Sequence, residues 1–317
     1  MAILSLLLVS SLLFQVPFMT CQALPNHNVS ATPPKEQTGY LTVPAASIYY
    51  ETYGSGPLLL FISGANGDAD IWRPLARTLS STTNHTIVIY DRRGFSRSYL
   101  SSTLPQNYTN RLAVDVNDTR LLIQHLSPAQ PVTVLGTSSG AIVALQLLLT
   151  FPDTLKTLIA HEPPALTLLP DNATLIAAQK AVYATYRITG IPLAMVQFAL
   201  LQDMSFTASP TGNPGFTLDG RTSPHVTGNL AYWFEREFLQ YPLHEFTAEM
   251  FKDVKGKLVL ANGKATNPAG SQYRANAVLA KELGLDVDMV AGDHVGYAGS
   301  AVGDFARDLL GVLERRE

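Results

Sequence analysis

The most restrictive feature of this chain is a stretch of fourteen residues in three parts: Val132-Thr133-Val134-Leu135, Gly136-Thr137-Ser138-Ser139-Gly140, and Ala141-Ile142-Val143-Ala144-Leu145. The first part predicts a buried strand and the third a helix, while the small residues between them predict a sharp turn. A chain that passes straight from strand to helix crowds its own backbone, and glycine is the residue that tolerates such crowding. The bare G-x-S-x-G pattern is common in ordinary turns; the strand before it and the helix after it give it meaning. In that setting Ser138 stands at the end of the strand as a nucleophile, and the backbone N–H of Ser139 is placed to receive a developing oxyanion.

The rest of the chain fits such an element into an α/β fold. Short apolar runs predict strands over residues 40–43, 47–52, 57–62, 86–90, 132–135, 155–160, 257–260 and 286–290. Amphipathic runs predict helices over residues 71–79, 110–126, 139–151, 272–283 and 301–315. Repeated β-then-α units with nearly unbroken apolar strands imply a mostly parallel sheet flanked by helices. Gly54-Ser55-Gly56 reads as a hairpin-type connection. Residues 163–245 interrupt the alternation with helical stretches (173–185, 193–201, 230–239) around a Ser/Thr/Gly/Pro-rich loop over 205–224. At about eighty residues this block is long for one crossover, and it reads as an inserted cap. The expected division is a signal peptide over 1–23, a disordered leader over 24–37, a core over 38–162 and 246–317, and a cap over 163–245.

On these motifs the chain resembles the α/β-hydrolase superfamily across nearly all of its length after residue 37. Residues 57–62 followed by Ser63-Gly64-Ala65-Asn66-Gly67 occupy the place of the family's strand and His-Gly turn, with Ser63 where His is usual. The resemblance implies that the N–H of Ala65 is the second oxyanion donor, with Asn66 as a substitute. Tyr90-Asp91-Arg92-Arg93-Gly94-Phe95-Ser96 matches the segment after the next strand and reads as a structural turn held by Arg and Asp hydrogen bonds.

Seven histidines are available as the base. Only His294, in Gly292-Asp293-His294-Val295-Gly296-Tyr297, follows a late strand and precedes a last helix, as the order nucleophile, acid, base requires. His27, His85, His125, His225 and His244 read as surface or packing residues, and His161 stays open. The acid is absent from its commonest family position, since Ala261-Asn262-Gly263-Lys264-Ala265-Thr266-Asn267-Pro268 contains no carboxylate. Asn or Thr orients an imidazole but supplies no charge to the imidazolium. The replacement is one strand earlier. His161-Glu162-Pro163-Pro164 places Glu162 at a strand's carboxyl end, where neighbouring parallel strands share a crevice, and some members of the superfamily, such as haloalkane dehalogenases, put their acid there.

The amino terminus points to an oxidising route. Residues 1–23 carry no charged side chain, run apolar from Ile3 to Phe14 and end in Cys21-Gln22-Ala23, a small-residue cleavage pattern. A retained anchor is the competing reading. Asn28, Asn84, Asn107, Asn117 and Asn172 each begin an N-x-Ser/Thr acceptor for N-glycosylation. Cys21 is the chain's one cysteine, so cleavage after Ala23 would leave no thiol.

Composition narrows the partners. With 22 Lys+Arg against 25 Asp+Glu and a net charge of -3, nothing draws the chain to nucleic acid. No nucleotide or metal motif is present, so no cofactor and no metal are implied. The expectation is a secreted or ER-lumenal serine hydrolase of esters or lactones. Its apolar small-molecule substrate would be bound beneath the cap, where Tyr183, Tyr186, Met195, Phe198, Met204, Tyr232, Trp233 and Phe234 are candidates either to line a pocket or to pack the cap. No stable membrane span is expected once the signal is removed. The same fold hosts C–C bond and thioester hydrolysis and non-hydrolytic cyclisation or isomerisation, and a non-catalytic small-molecule receptor is a further alternative.

Overall fold

The structure is a computed structural model, and it describes residues 36–202 and 224–316. The chain opens with an antiparallel pair, β1 (Glu36–Val43) and β2 (Ala46–Gly54). It then alternates: β3 (Leu58–Ile62), α1 (Arg73–Thr82), β4 (Thr86–Tyr90), the short β5 (Tyr99–Leu100), α2 (Arg111–Leu126), β6 (Val132–Thr137), α3 (Ser139–Thr150) and β7 (Leu155–His161). Three cap helices follow, α4 (Asn172–Thr189), α5 (Ile191–Leu201) and α6 (Val226–Arg236), before β8 (Leu258–Gly263), α7 (Ser271–Leu283), β9 (Val287–Val290) and α8 (Val302–Glu314) close the core.

The strands lie in the order β1-β2-β4-β3-β6-β7-β8-β9, with β5 paired to β2. From β4 to β9 every neighbouring pair is parallel. All residues of β3 and β8 are buried, which is why these strands read as unbroken runs. Alternation reappears in where the side chains go. Leu60, Val88, Val134, Leu158 and Leu260 face a cluster that includes Leu122, Ala144 and Leu279 from α2, α3 and α7. Leu59, Phe61, Ile87, Leu135 and Val259 face the other, with Leu75 of α1 and Leu309 of α8. A third cluster belongs to the cap: Val182, Met195, Leu230, Trp233, Phe234 and Phe238, closed by Phe95 from the core.

Three expectations change. Glu36 and Gln37 belong to β1, where they pair with Tyr53 and Thr52, so the leader read over 24–37 ends earlier. The Gly54–Gly56 turn is not a hairpin, because β4 lies between the two strands it joins. β8 runs three residues beyond the expected 260. The signal segment, Asn28, Met204 and residues 205–223 of the expected loop lie outside the described residues.

Candidate active site

Ser138 sits at the junction of β6 and α3 with φ 51 and ψ -125, in the left-handed region that side chains avoid. The junction is closely packed. A Cβ on Gly140 would run into the carbonyl oxygens of Ile62 and Ser63, and one on Gly136 would lie 2.5 Å from the Gly140 carbonyl, so both positions flanking the elbow require glycine. The Ser138 N–H donates to the His161 carbonyl at 3.0 Å, tying the elbow to β7. Ser139 is the first residue of α3, and its N–H has no carbonyl within the helix to pair with.

Glu162 follows β7 directly and is fully buried, also with a positive φ of 49. Two of the four non-glycine residues with positive φ among the described residues are therefore Ser138 and Glu162; Ala45 and Ser96 are the others. Such backbone strain costs about 1–3 kcal/mol per residue and concentrates at functional sites. The two carboxylate oxygens of Glu162 have separate tasks. Oε1 accepts from the Gly263 N–H at 2.8 Å, and Oε2 meets His294 Nδ1 at 2.6 Å. Burial opposes ionisation of this carboxyl, but the His294 hydrogen bond, the nearby imidazoles and the Gly263 N–H outweigh it and hold its pKa at about 2. Asn276 of α7 keeps the two strand ends in register, its Nδ2 bridging the carbonyls of Ala160 and Ala261 at 3.0 and 2.9 Å.

His294 lies in the turn after β9, and its engagement through Nδ1 leaves Nε2 for the cavity side. Ser138, Ser139, Ala65 and His294 all line one cavity. Ala65 is positioned through a buried cation. Arg92 donates from Nε to the Ser63 carbonyl at 3.0 Å and from Nη2 to the Gly64 carbonyl at 2.8 Å. The Gly64 carbonyl and the Ala65 N–H share one trans peptide and point in opposite directions, so the arginine that holds the carbonyl aims the N–H away from itself. A Cβ on Gly64 would lie 3.0 Å from that of Ser138, which places this loop against the elbow. Arg92 is in turn held by Glu237, just after α6, at 2.7 and 2.8 Å and by Asp115 at 2.8 Å. The cap is thus bonded to the loop that carries Ala65.

The other sequence candidates fall into place. Ser63 Oγ donates to the Asp68 carbonyl at 2.8 Å and accepts from Trp72 Nε1 at 2.9 Å, a buried structural tie. Asn66 accepts from Asn229 Nδ2 at 3.1 Å. Asp91 accepts from the Ala69 N–H and from Arg97, as expected of a structural turn. His161 is fully buried, its Nδ1 3.0 Å from Thr137 Oγ1, and burial pushes its pKa down to about 4. Of the apolar cap candidates, Phe198 and Trp233 line the cavity, Met195 and Phe234 are buried in the cap cluster, and Tyr183, Tyr186 and Tyr232 pack half-buried against it. Asn84 and Asn107 are exposed and Asn172 half-buried at the start of α4. Asn117 lies within α2, and the Thr119 of its triplet is fully buried. Sequence reasoning passed over Gln179, Gln202 and Gln272, which also line the cavity; isolated glutamines carry no pattern that marks them. Among the described residues no group of three or more His, Cys, Asp or Glu could hold a metal ion, and no helix is long and apolar enough to cross a membrane.

This constellation of strand, elbow and late histidine defines a class. Residues 57–199 match the family model described as the alpha/beta hydrolase fold. The chain is similar to the uncharacterized hydrolase YraK of Bacillus subtilis, 30% identical over 282 residues that cover 88% of this chain and 97% of that protein. It also resembles a zearalenone hydrolase of Cladophialophora bantiana, 28% identical over 141 residues, 44% of this chain and 51% of that one. Among solved structures, a thermophilic esterase of Thermogutta terrifontis superposes with a TM-score of 0.67 at 15% identity, covering 88% of this chain and 99% of the other. The chain belongs to the alpha/beta hydrolase family.

Proposed function

We propose that this hydrolase is a serine hydrolase that cleaves an ester or lactone of a small to medium-sized substrate through an acyl-enzyme. The observation that carries the reading is the 2.6 Å contact between buried Glu162 and His294, which lines the same cavity as Ser138. With Nδ1–H given to an ionised carboxylate, Nε2 of His294 is free to take the Ser138 proton as Oγ attacks the acyl carbonyl. The resulting imidazolium is stabilised by Glu162, and the N–H groups of Ser139 and Ala65 receive the oxyanion. His294 then returns the proton to the leaving alkoxide. Water, deprotonated by the same nitrogen, cleaves the acyl-enzyme, releasing acid and free Ser138.

Glu162 beside His294 supplies the carboxylate that the segment after β8 lacks, which supports a catalytic site over a non-catalytic receptor. The test is a panel of esters and lactones offered to purified protein, with products identified by mass spectrometry. Hydrolysis that disappears in Ser138→Ala is expected; hydrolysis unchanged in that variant refutes the reading.

The amino-terminal segment and the N-x-Ser/Thr triplets also support passage through the secretory route. Glycosidase treatment of the secreted protein is expected to shift its mass, with Asn84, Asn107 and Asn172 as acceptors. An unmodified, retained protein overturns this.

A further inference from the structure

The cavity that holds Ser138 is apolar over most of its lining but carries three glutamines. Gln179 of α4, Gln202 just after α5 and Gln272 of α7 all line it, and they are only 2%, 8% and 3% exposed. Among the described residues their hydrogen bonding is incomplete. Gln179 Nε2 donates to the Phe238 carbonyl at 2.9 Å, and no described residue donates to its Oε1. Ser271 Oγ lies 3.2 Å from Gln202 Oε1 and 3.4 Å from Gln272 Oε1, and one hydroxyl has one proton to share between them. The amide nitrogens of Gln202 and Gln272 meet no acceptor among the described residues. Three carboxamides nine-tenths buried line one cavity, each with an amide atom that no described residue pairs, and form a polar wall that an apolar ligand leaves unsatisfied.

The wall stands at a junction. A second cavity shares Leu166, Gln179 and Gln202 with the first and is also lined by Ser271. Phe198 and Trp233 supply apolar surface on the Ser138 side of that neck. A ligand that fits both sides has an apolar body and a polar far end. Gln179 offers an acceptor where Gln202 and Gln272 offer donors, and a hydroxyl satisfies both kinds; it does so whichever way each amide is turned.

We infer that the Gln179–Gln202–Gln272 wall is a recognition subsite for a hydroxyl group, so that the substrate is an ester whose apolar body ends in an alcohol or phenol. The inference rests on the serine hydrolase reading for turnover but not for binding, and the test separates the two. Matched p-nitrophenyl esters with and without an ω-hydroxyl, acyl chains of four to ten carbons, are compared by kcat/KM. Binding of the corresponding methyl esters to Ser138→Ala is measured by calorimetry. At the matching chain length the hydroxylated ester is expected to be favoured at least tenfold in both assays. In Gln272→Met, and separately in Gln202→Met, each checked for cooperative melting, that ratio is expected to fall toward one. A ratio near one in the wild-type protein and in Ser138→Ala at every length overturns the subsite, whatever the turnover. Preference in binding without turnover of any ester keeps the subsite and overturns the hydrolase reading instead.

Discussion

Replacing Glu162 with glutamine changes one atom and tests the proposed triad directly. Glutamate accepts two N–H groups at once, His294 Nδ1–H on one oxygen and the Gly263 N–H on the other. Glutamine has one acceptor oxygen, so one of these two donors must face an NH2 group. If the oxygen turns to Gly263, His294 is driven to the tautomer that carries its proton on Nε2, and that nitrogen no longer accepts the Ser138 proton. If the oxygen turns to His294, geometry survives but the negative charge that steadies the imidazolium is gone. Either way kcat is expected to fall by about 10⁴, the loss that follows removal of the triad charge in serine hydrolases. That corresponds to about 5 kcal/mol on the barrier. Glu162→Asp tests reach rather than charge: retraction by one methylene, about 1.5 Å, opens the 2.6 Å contact beyond hydrogen-bond length. Both variants are assayed with the best ester of the panel, KM is expected to stay within a few-fold, and melting must remain cooperative. A Glu162→Gln enzyme that retains a tenth or more of the wild-type kcat refutes the assignment.

Two further perturbations probe the scaffold. Glu237→Gln removes a fully buried charge that faces Arg92, and breaking such a pair costs about 3–5 kcal/mol; chemical denaturation should show this loss, together with a fall in kcat larger than any rise in KM, because the Ala65 loop loses its tether. Equal effects of Glu237→Gln on every ester's KM and none on kcat would contradict the tether. His161 has a folded pKa of about 4 against an ordinary value of 6.5, so the unfolded chain takes up the proton first as the pH falls. Its contribution is complete above pH 6.5 and is lost between 6.5 and 4, by about 3 kcal/mol. His161→Gln is expected to flatten that part of the stability profile, and an unchanged slope would show that another group governs it.

Where the sequence carries period and order, it foretells the structure closely. The eight main strands and the core helices follow from hydrophobic runs, most plainly β3 and β8, which are buried throughout and read as unbroken apolar stretches. Ser138 and His294 follow from local motif and chain order. Glu162 was legible by a different route, the absence of any carboxylate after β8 together with the placing of a glutamate at the end of β7. What could not be read is what long-range packing decides. Gly54 and Gly56 look like a hairpin turn until β4, thirty residues later, inserts between the strands they join. Glu162 takes a positive φ while its N–H meets the Ala261 carbonyl and its carboxylate meets Gly263 and His294, contacts that no local pattern announces. Arg92 reads as one member of a polar turn, and only the fold brings it to Glu237, 145 residues away, and to the Gly64 carbonyl. The glutamine wall is assembled from α4, the end of α5 and α7, and no local pattern joins those positions.

The central claim is that Ser138 is an activated nucleophile, and covalent capture tests it most directly. Wild-type protein treated with a fluorophosphonate and analysed by intact mass and peptide mapping should carry one adduct, on the peptide containing Ser138. Ser138→Ala should carry none, and Glu162→Gln should label far more slowly than the wild type. An unlabelled wild-type protein that is folded, or an adduct on a serine other than Ser138, would contradict the account.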